Sequence, residues 1–386
     1  MWFFNSPEIV HGEGALDYLS EIQGKRAFIV TDEVLVGLGF ADMVREALGK
    51  AQIESQVFAE VEPNPSLDTV RRGSKAMSDY GPDWVVGLGG GSCMDAAKAM
   101  WVLYERPDMA PDQINPIERL GLRQKARLIT IPTTTGTGAE VSWAIVLTDM
   151  VEKRKIVLGS RENMADLAVV DPVFIAELPP GITADTGMDA LTHAVECYVS
   201  TWRNVYADGL CLEALRLIFT YLVRAYENGA ADPEARQGMQ NAATIAGLAL
   251  NNSMATLAHA LGHPLSPHFG VPHGRAMGLF LPYTIEFAAK ECAPLYANIA
   301  RFMGWPAESD EEGTASLVKA IRNIAERMGQ PASLRELGIE QQALEEAMPT
   351  MIEQGENDTV TSMRIPDREE MAQLYRYAFE GKPVDF

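Results

Sequence analysis

Between Gly181 and His273 the chain carries one carboxylate and several imidazoles at spacings that can close around a metal ion. Asp189 and His193 are four residues apart in GITADTGMDALTHAVECYVS, a predicted helix. Residues i and i+4 leave the same helical face, so both donors point one way. His259 and His263 repeat that spacing in LAHALGHPLSPHFGVPHG, and His273 follows the loop Pro264–Pro272. The chain has six His, and His193, His259, His263 and His273 lie in this stretch. Imidazoles gathered in apolar sequence need a reason, and a shared metal explains them better than separate packing or capping roles.

One carboxylate with imidazoles is a borderline donor set, suited to Fe2+, Zn2+, Co2+ or Ni2+ and unlike the all-oxygen sites of Mg2+ or Ca2+. Five groups are candidates: Asp189, His193, His259, His263 and His273. Four protein ligands already fill a tetrahedron, so a catalytic metal must expand its shell to accept a substrate oxygen. Glu196 shares the Asp189/His193 face. It is read as a ligand in place of one His, as a group that orients a ligand, or as a solvent-facing side chain. The metal alone permits hydrolysis, lyase chemistry, redox or noncatalytic metal binding. A hydrolase would need a carboxylate base, and only Glu196 is offered for that post.

These groups require a scaffold. At 386 residues the chain exceeds the ~250–300 at which single cores stop growing, so two domains are expected, 1–181 and 182–386. Lys and Arg total 32 against 53 Asp and Glu, a formal net charge of −21. No basic surface is available to neutralise phosphates, which excludes nucleic acid as a partner. Cys93, Cys197, Cys211 and Cys292 are scattered without a CxxC, as suits a reducing compartment. No basic-then-apolar segment opens the chain and no apolar run reaches ~18 residues. The expectation is a cytoplasmic protein that does not enter a membrane. Trp2, Phe3 and Phe4 are expected to pack on their own domain or under a second subunit.

In the first half, apolar runs at Ala27–Val30, Ile53–Phe58 and Trp84–Leu88 alternate with helical patterns over Met43–Leu48 and Ser66–Tyr80. That order predicts a parallel sheet covered on both faces. Leu128–Ile131 is a further strand, which Pro132 is expected to end. Shorter β-like runs follow at Ala144–Leu147, Lys155–Leu158 and Leu167–Val170. Beyond Thr183 helical periods dominate, including Asp208–Ala225, Pro233–Leu261 and Cys292–Met303, and then Glu312–Met328, Glu340–Met348 and Arg368–Phe379. The fold class is therefore α/β plus all-α.

Two loops mark a second chemical site. Gly89, Gly90 and Gly91 follow a strand and Ser92 opens a helix that carries Asp95 and Lys98. Glycines let the backbone turn sharply and approach a ligand, and amides at a helix start attract phosphate oxygens. Neither GxGxxG nor GxxxxGK[ST] is present, so a bare tight turn competes with phosphate binding. The loop PTTTGTG adds hydroxyls from Thr133, Thr134, Thr135 and Thr137. Two polar, glycine-bearing loops at strand ends favour a ligand site outside the carboxyl edge of the sheet. A dinucleotide there turns the metal reading from hydrolysis toward redox chemistry on an alcohol.

The segments TDE at Thr31–Glu33, EPNP at Glu62–Pro65, GGGSCMDAAK at Gly89–Lys98 and PTTTGTGAEVS at Pro132–Ser142 resemble the iron-containing (group III) alcohol dehydrogenase family. So do GMDALTHAVECYVS at Gly187–Ser200, HALGHPLSPHFGVPHG at His259–Gly274 and Leu281–Pro282. The resemblance covers nearly the whole chain in order. It implies a dehydroquinate synthase-like architecture, with an N-terminal parallel-sheet domain binding NAD and a C-terminal helical domain binding Fe2+. A homodimer or higher homo-oligomer is implied, with a small alcohol or aldehyde as substrate. It implies Asp189, His193, His259 and His273 as metal ligands and His263 as an unliganded catalytic histidine that relays a proton. Implied coenzyme residues are Asp32, Gly89, Gly90, Gly91, Ser92, Asp95, Thr133, Thr134, Thr137, Lys155 and Leu178. A zinc enzyme of the glycerol dehydrogenase kind is the alternative within the superfamily. A metallohydrolase without a dinucleotide is the alternative outside it.

Two departures concern the substrate. The family's HG segment usually continues to an Asn where Met277 stands here, and the wall after Glu140 reads VSWAIV with bulky Trp143 and small Ala144. With Leu250 these residues are expected to shape the pocket. Asp32, at a strand end where an adenosine ribose would lie, is expected to favour NAD over NADP by repelling a 2′-phosphate.

Overall fold

The runs read as strands are apolar on both sides because both sides are covered. In the computed structural model, which describes residues 4–116, 119–152 and 154–386, alternate residues of each central strand enter opposite cores. Phe28, Val30, Val85 and Leu128 pack on one face of the sheet; Ala27, Ile29, Trp84, Val86, Leu88, Ile129 and Ile131 pack on the other. Period-two side chains with no solvated face produce a continuous apolar string. Trp2 and Phe3 lie outside the described residues.

The first unit spans Asn5–Leu178. Its strands are β1 Glu8–His11, β2 Arg26–Val30, β3 Glu54–Phe58, β4 Trp84–Gly89, β5 Arg127–Pro132, β6 Ala144–Asp149, β7 Arg154–Gly159 and β8 Leu167–Val170. Its helices are α1 Glu33–Gly37, α2 Phe40–Lys50, α3 Leu67–Tyr80 and α4 Gly91–Glu105. Six strands pair in the order β1-β8-β5-β4-β2-β3, every neighbour parallel. Ser66 caps α3, its hydroxyl accepting from Thr69 N. Pro132 does not end the ladder: it stands opposite Gly89, and Thr133 N donates to Gly89 O at 3.0 Å. The next residue thus supplies the donor that proline lacks. β6 and β7 leave the sheet and form a separate antiparallel hairpin. β1 was not evident in the sequence, because its half-exposed residues give no apolar run.

The second unit holds Phe4 and Pro179–Phe386. It is helical throughout: α5 Pro180–Val199, α6 Val205–Asn228, α7 Pro233–Asn252, α8 Leu257–Gly262, α9 Leu265–Phe269, α10 His273–Phe302, α11 Asp310–Arg327, α12 Gln341–Gly355 and α13 Arg368–Glu380. α5 is buried nearly all round and packs with α6, α7 and α10 in one core. α8, α10, α12 and α13 surround a second core. The expected helix Pro233–Leu261 is two helices, broken after Asn252. There the Ser253 hydroxyl donates to Cys197 O at 3.0 Å and the backbone leaves helical geometry. Side-chain bonds of this kind compete with the helical ladder. Among the described residues no helix is long and apolar enough to cross a membrane.

Candidate metal centre and nucleotide-binding loops

α5 presents Asp189 and His193 one turn apart, both buried. The break after α7 starts α8 afresh, which brings His259 onto the same spot and leaves His263 at the C-terminal end of α8. His273 is the first residue of α10. α10 reaches α5 at backbone contact because the next residue is Gly274. A Cβ there would stand 2.0 Å from Asp185 O and 3.0 Å from Asp189 Cβ. Asp185 then holds this end of α10 through Arg275, with Nε and Nη2 at 3.0 and 3.1 Å from its two oxygens.

The donors converge. Asp189 Oδ1 lies 3.7, 3.9 and 3.4 Å from Nε2 of His193, His259 and His273. The Nε2 atoms of His193 and His259 are 3.2 Å apart. Ligands ~2.0–2.2 Å from a cation at the centre of a tetrahedron are roughly 3.3–3.6 Å from one another, so these separations fit a single ion. Asp189 Oδ1 is buried and carries no hydrogen bond, an expensive arrangement unless an ion satisfies it. Burial alone would raise the Asp189 carboxyl, yet His193, His273 and His259 around it hold it well below the usual range. His263 is beside this group, its ring stacked on His273 at 5.3 Å and edge-on to His259 at 5.5 Å.

Glu196 does not face solvent. Its Oε2 meets Nδ1 of His259 at 2.5 Å, and its Oε1 accepts from Ala258 N at 2.6 Å and from the Thr256 hydroxyl at 2.9 Å. The carboxylate thus orients His259 and receives the first turn of α8. Burial raises the Glu196 carboxyl, but pairing with His259 and the Thr256 bonds bring it below its ordinary value; the same pairing raises His259 against its own burial. Sequence reasoning listed the orienting role among three. It could not choose, because the partners Thr256 and Ala258 sit inside what read as an unbroken helix. Two further contacts carried no signal in any motif: Asp358 Oδ2 at 3.3 Å from Nδ1 of His263, and Gln354 Oε1 at 3.3 Å from Nε2 of His268.

At the carboxyl edge of the sheet, Gly89 ends β4 at φ 148°, where a side chain is strained, and Gly90 and Gly91 begin α4. The methyls of Thr134 and Thr137 lie against Gly90 and Gly91, so the two loops form one surface. Thr133 is buried. The hydroxyls of Thr31, Thr134 and Thr135 are buried without partners at these strand ends, as a polar ligand would require. The Ser92 hydroxyl accepts from Asn64 N at 3.3 Å. Asp32 follows β2 as the cap of α1, Oδ1 accepting from Leu35 N at 2.9 Å, while Oδ2 meets the Cys93 thiol at 3.5 Å. Asp95 is turned inward: Oδ2 accepts from Val146 N at 2.9 Å and Oδ1 from Lys98 Nζ at 3.3 Å. With Lys98 also donating to Ala144 O at 2.9 Å, this pair ties α4 to the β6–β7 hairpin.

The remaining candidates lie on β7, at the end of the first unit, just before β6 and on α7. Lys155 lies on β7 opposite Thr148 and contributes to the field at Asp95. Leu178 closes the first unit, its N–H donating to Ile175 O at 3.2 Å. The Trp143 ring packs over Gly159 at the start of the hairpin, beside Ala144. Leu250 packs half-buried on the helical core.

Residues 6–172 match the iron-containing alcohol dehydrogenase family and residues 183–379 its C-terminal region. The chain is 36% identical over 98% of both sequences to the NADPH-dependent butanol dehydrogenase of Clostridium saccharobutylicum. It is 35% identical to the aldehyde-alcohol dehydrogenase of Streptococcus pneumoniae, over 95% of this chain but 44% of that longer protein. A crystal structure of a 1,3-propanediol oxidoreductase superposes with a TM-score of 0.92 at 31% identity, covering 98% of this chain and 100% of that one.

Proposed function

Because the chain belongs to the iron-containing alcohol dehydrogenase family, we propose that it interconverts a short primary alcohol, diol or hydroxy acid and the matching aldehyde with NAD(H). The observation that carries this reading is Asp189 Oδ1, buried without a hydrogen bond and faced by three imidazole nitrogens at 3.4–3.9 Å. Asp189, His193, His259 and His273 would hold Fe2+, which when bound acidifies an alcohol hydroxyl and polarises an aldehyde carbonyl.

The chain's own residues do the rest. By accepting the Nδ1–H bond of His259, Glu196 leaves the Nε2 lone pair directed toward Asp189 and His193. The start of α4 and the Thr133–Thr137 loop bind the coenzyme's pyrophosphate through amides and hydroxyls. A bound NAD(H) would accept or supply the hydride, and His263 would take up the hydroxyl proton in oxidation and return it in reduction. NAD is the proposed coenzyme because Asp32 follows β2 with no Lys or Arg in TDEVLVGLG to receive a 2′-phosphate; the Clostridium saccharobutylicum relative is named as NADPH-dependent. The unbridged, buried Cys93, Cys197, Cys211 and Cys292 support a reducing cytoplasm. A homodimer would cover the exposed Val205 and Tyr206 beside Phe4.

The test is NADH oxidation by the iron-loaded protein with C2–C6 aldehydes. Metal-loaded protein that neither binds nor consumes NAD(H) refutes the reading. Elemental analysis separates the roles: His259→Ala and His273→Ala should lose metal and activity, whereas His263→Ala should keep metal and lose turnover. Equal metal loss in all three overturns the division. The same measurement distinguishes iron from zinc.

A further inference from the structure

We propose that Asp358 is the positioning residue of His263, a role that rests on His263 acting as the proton relay. Asp358 belongs to the turn Glu356–Thr361, far along the chain from the metal motifs. Its Oδ2 lies 3.3 Å from His263 Nδ1. The turn is fixed rather than merely near. The Thr361 hydroxyl donates to Ala255 O at 2.6 Å, Thr201 N donates to Thr361 O at 2.8 Å, and the Thr359 hydroxyl closes the turn on Glu356 O at 2.8 Å. Ala255 is the residue before Thr256, so one anchor serves both ends of α8: Glu196 receives its start and Asp358 its last ring.

His263 is mostly buried, with 13% of its side chain exposed, and leans on His273 on one side and His259 on the other. Those contacts limit where the ring lies but do not choose which nitrogen carries the proton. A carboxylate at Nδ1 does choose: it accepts the Nδ1–H bond and leaves the Nε2 lone pair to take up the hydroxyl proton. In alcohol oxidation a bound NAD would take the hydride with its two electrons, while His263 Nε2 would take up the hydroxyl proton and pass it on to water. An amide at position 358 can turn its NH2 toward Nδ1 and select the opposite tautomer, in which Nε2 already holds a proton.

The experiment uses iron-loaded full-length wild type, Asp358→Asn, Asp358→Glu, His263→Ala and the His263→Ala/Asp358→Asn double variant, with NADH and a short aldehyde and with NAD and its alcohol. Iron content and melting temperature should match wild type in Asp358→Asn. Its kcat should fall roughly 10- to 100-fold, the range of partners one shell out, with KM for alcohol nearly unchanged and a larger solvent deuterium isotope effect. Asp358→Glu should recover part of kcat. The double variant should be no slower than His263→Ala, because the two residues act as a unit. Wild-type kcat in Asp358→Asn while His263→Ala is inactive overturns the positioning role alone. Full turnover in His263→Ala overturns the relay and the positioning role together.

Discussion

Glu196→Gln tests how a neutral change one bond away from the metal ligands alters metal binding. The amide oxygen can keep the bonds from Thr256 and Ala258, but its NH2 then faces His259 Nδ1, where a carboxylate oxygen now lies at 2.5 Å. Two N–H donors cannot share that line, so the ring must move its proton to Nε2, the atom directed at Asp189 and His193. Metal affinity should fall roughly 10- to 100-fold, or ~1.4–2.8 kcal/mol, as for other partners of ligating imidazoles. Glu196→Leu should be far worse. It strands the Ala258 N–H, the Thr256 hydroxyl and the His259 N–H in a buried site at about 1–3 kcal/mol each, a roughly 3–9 kcal/mol loss against a total stability of ~5–15. Anaerobic Fe2+ titration against a competing chelator measures the first, and a thermal melt the second. Wild-type affinity in Glu196→Gln, with His259 unchanged in its 15N imidazole shifts, would refute the tautomer argument.

Asp32→Asn keeps a cap on α1 while removing the charge, so the kcat/KM ratio of NADP to NAD should rise about 10- to 150-fold, equivalent to ~1.4–3 kcal/mol, with little change in melting temperature. An unchanged ratio removes Asp32 as the selector. Gly274→Ala forces a Cβ to within 2.0 Å of Asp185 O, so α10 must retreat from α5 and take His273 with it. Iron content should drop and the protein should melt earlier, by roughly 2–10 °C if overpacking costs about 1–3 kcal/mol; full iron content would show that the contact does not govern the centre.

The parts legible in the sequence were those whose partners are close in sequence or whose pattern repeats. Asp189 and His193 share a helical face by arithmetic, and the strands β2, β4 and β5 announce themselves as apolar runs between helices. What stayed hidden depends on distant chain. The α7–α8 break contains no proline; the Ser253 and Thr256 side chains cause it by bonding to α5. Glu196 could be suspected but not assigned, because its role depends on donors that exist only once the break forms. Asp95 was legible as a residue of the helix opened by Ser92, but its bonds to Val146 and Lys98 depend on a hairpin 51 residues on. Asp358 is an acidic residue among many until the fold brings it to His263.

The pairing of β1 with β8, Glu8 opposite Leu167, has a consequence for synthesis. Chains emerge from the ribosome at ~5–20 residues per second, so β1 waits on the order of 10–30 s before the strand it pairs with exists. β2, β3 and β4 pair with near neighbours in the chain and can assemble in that interval, with β5 joining them as it appears. β8 then both covers the open side of β5 and receives β1, and α5 follows directly behind it. A nascent chain stalled before Leu167 would expose the β5 edge and a loose first strand together, the state in which this protein should be most dependent on chaperones.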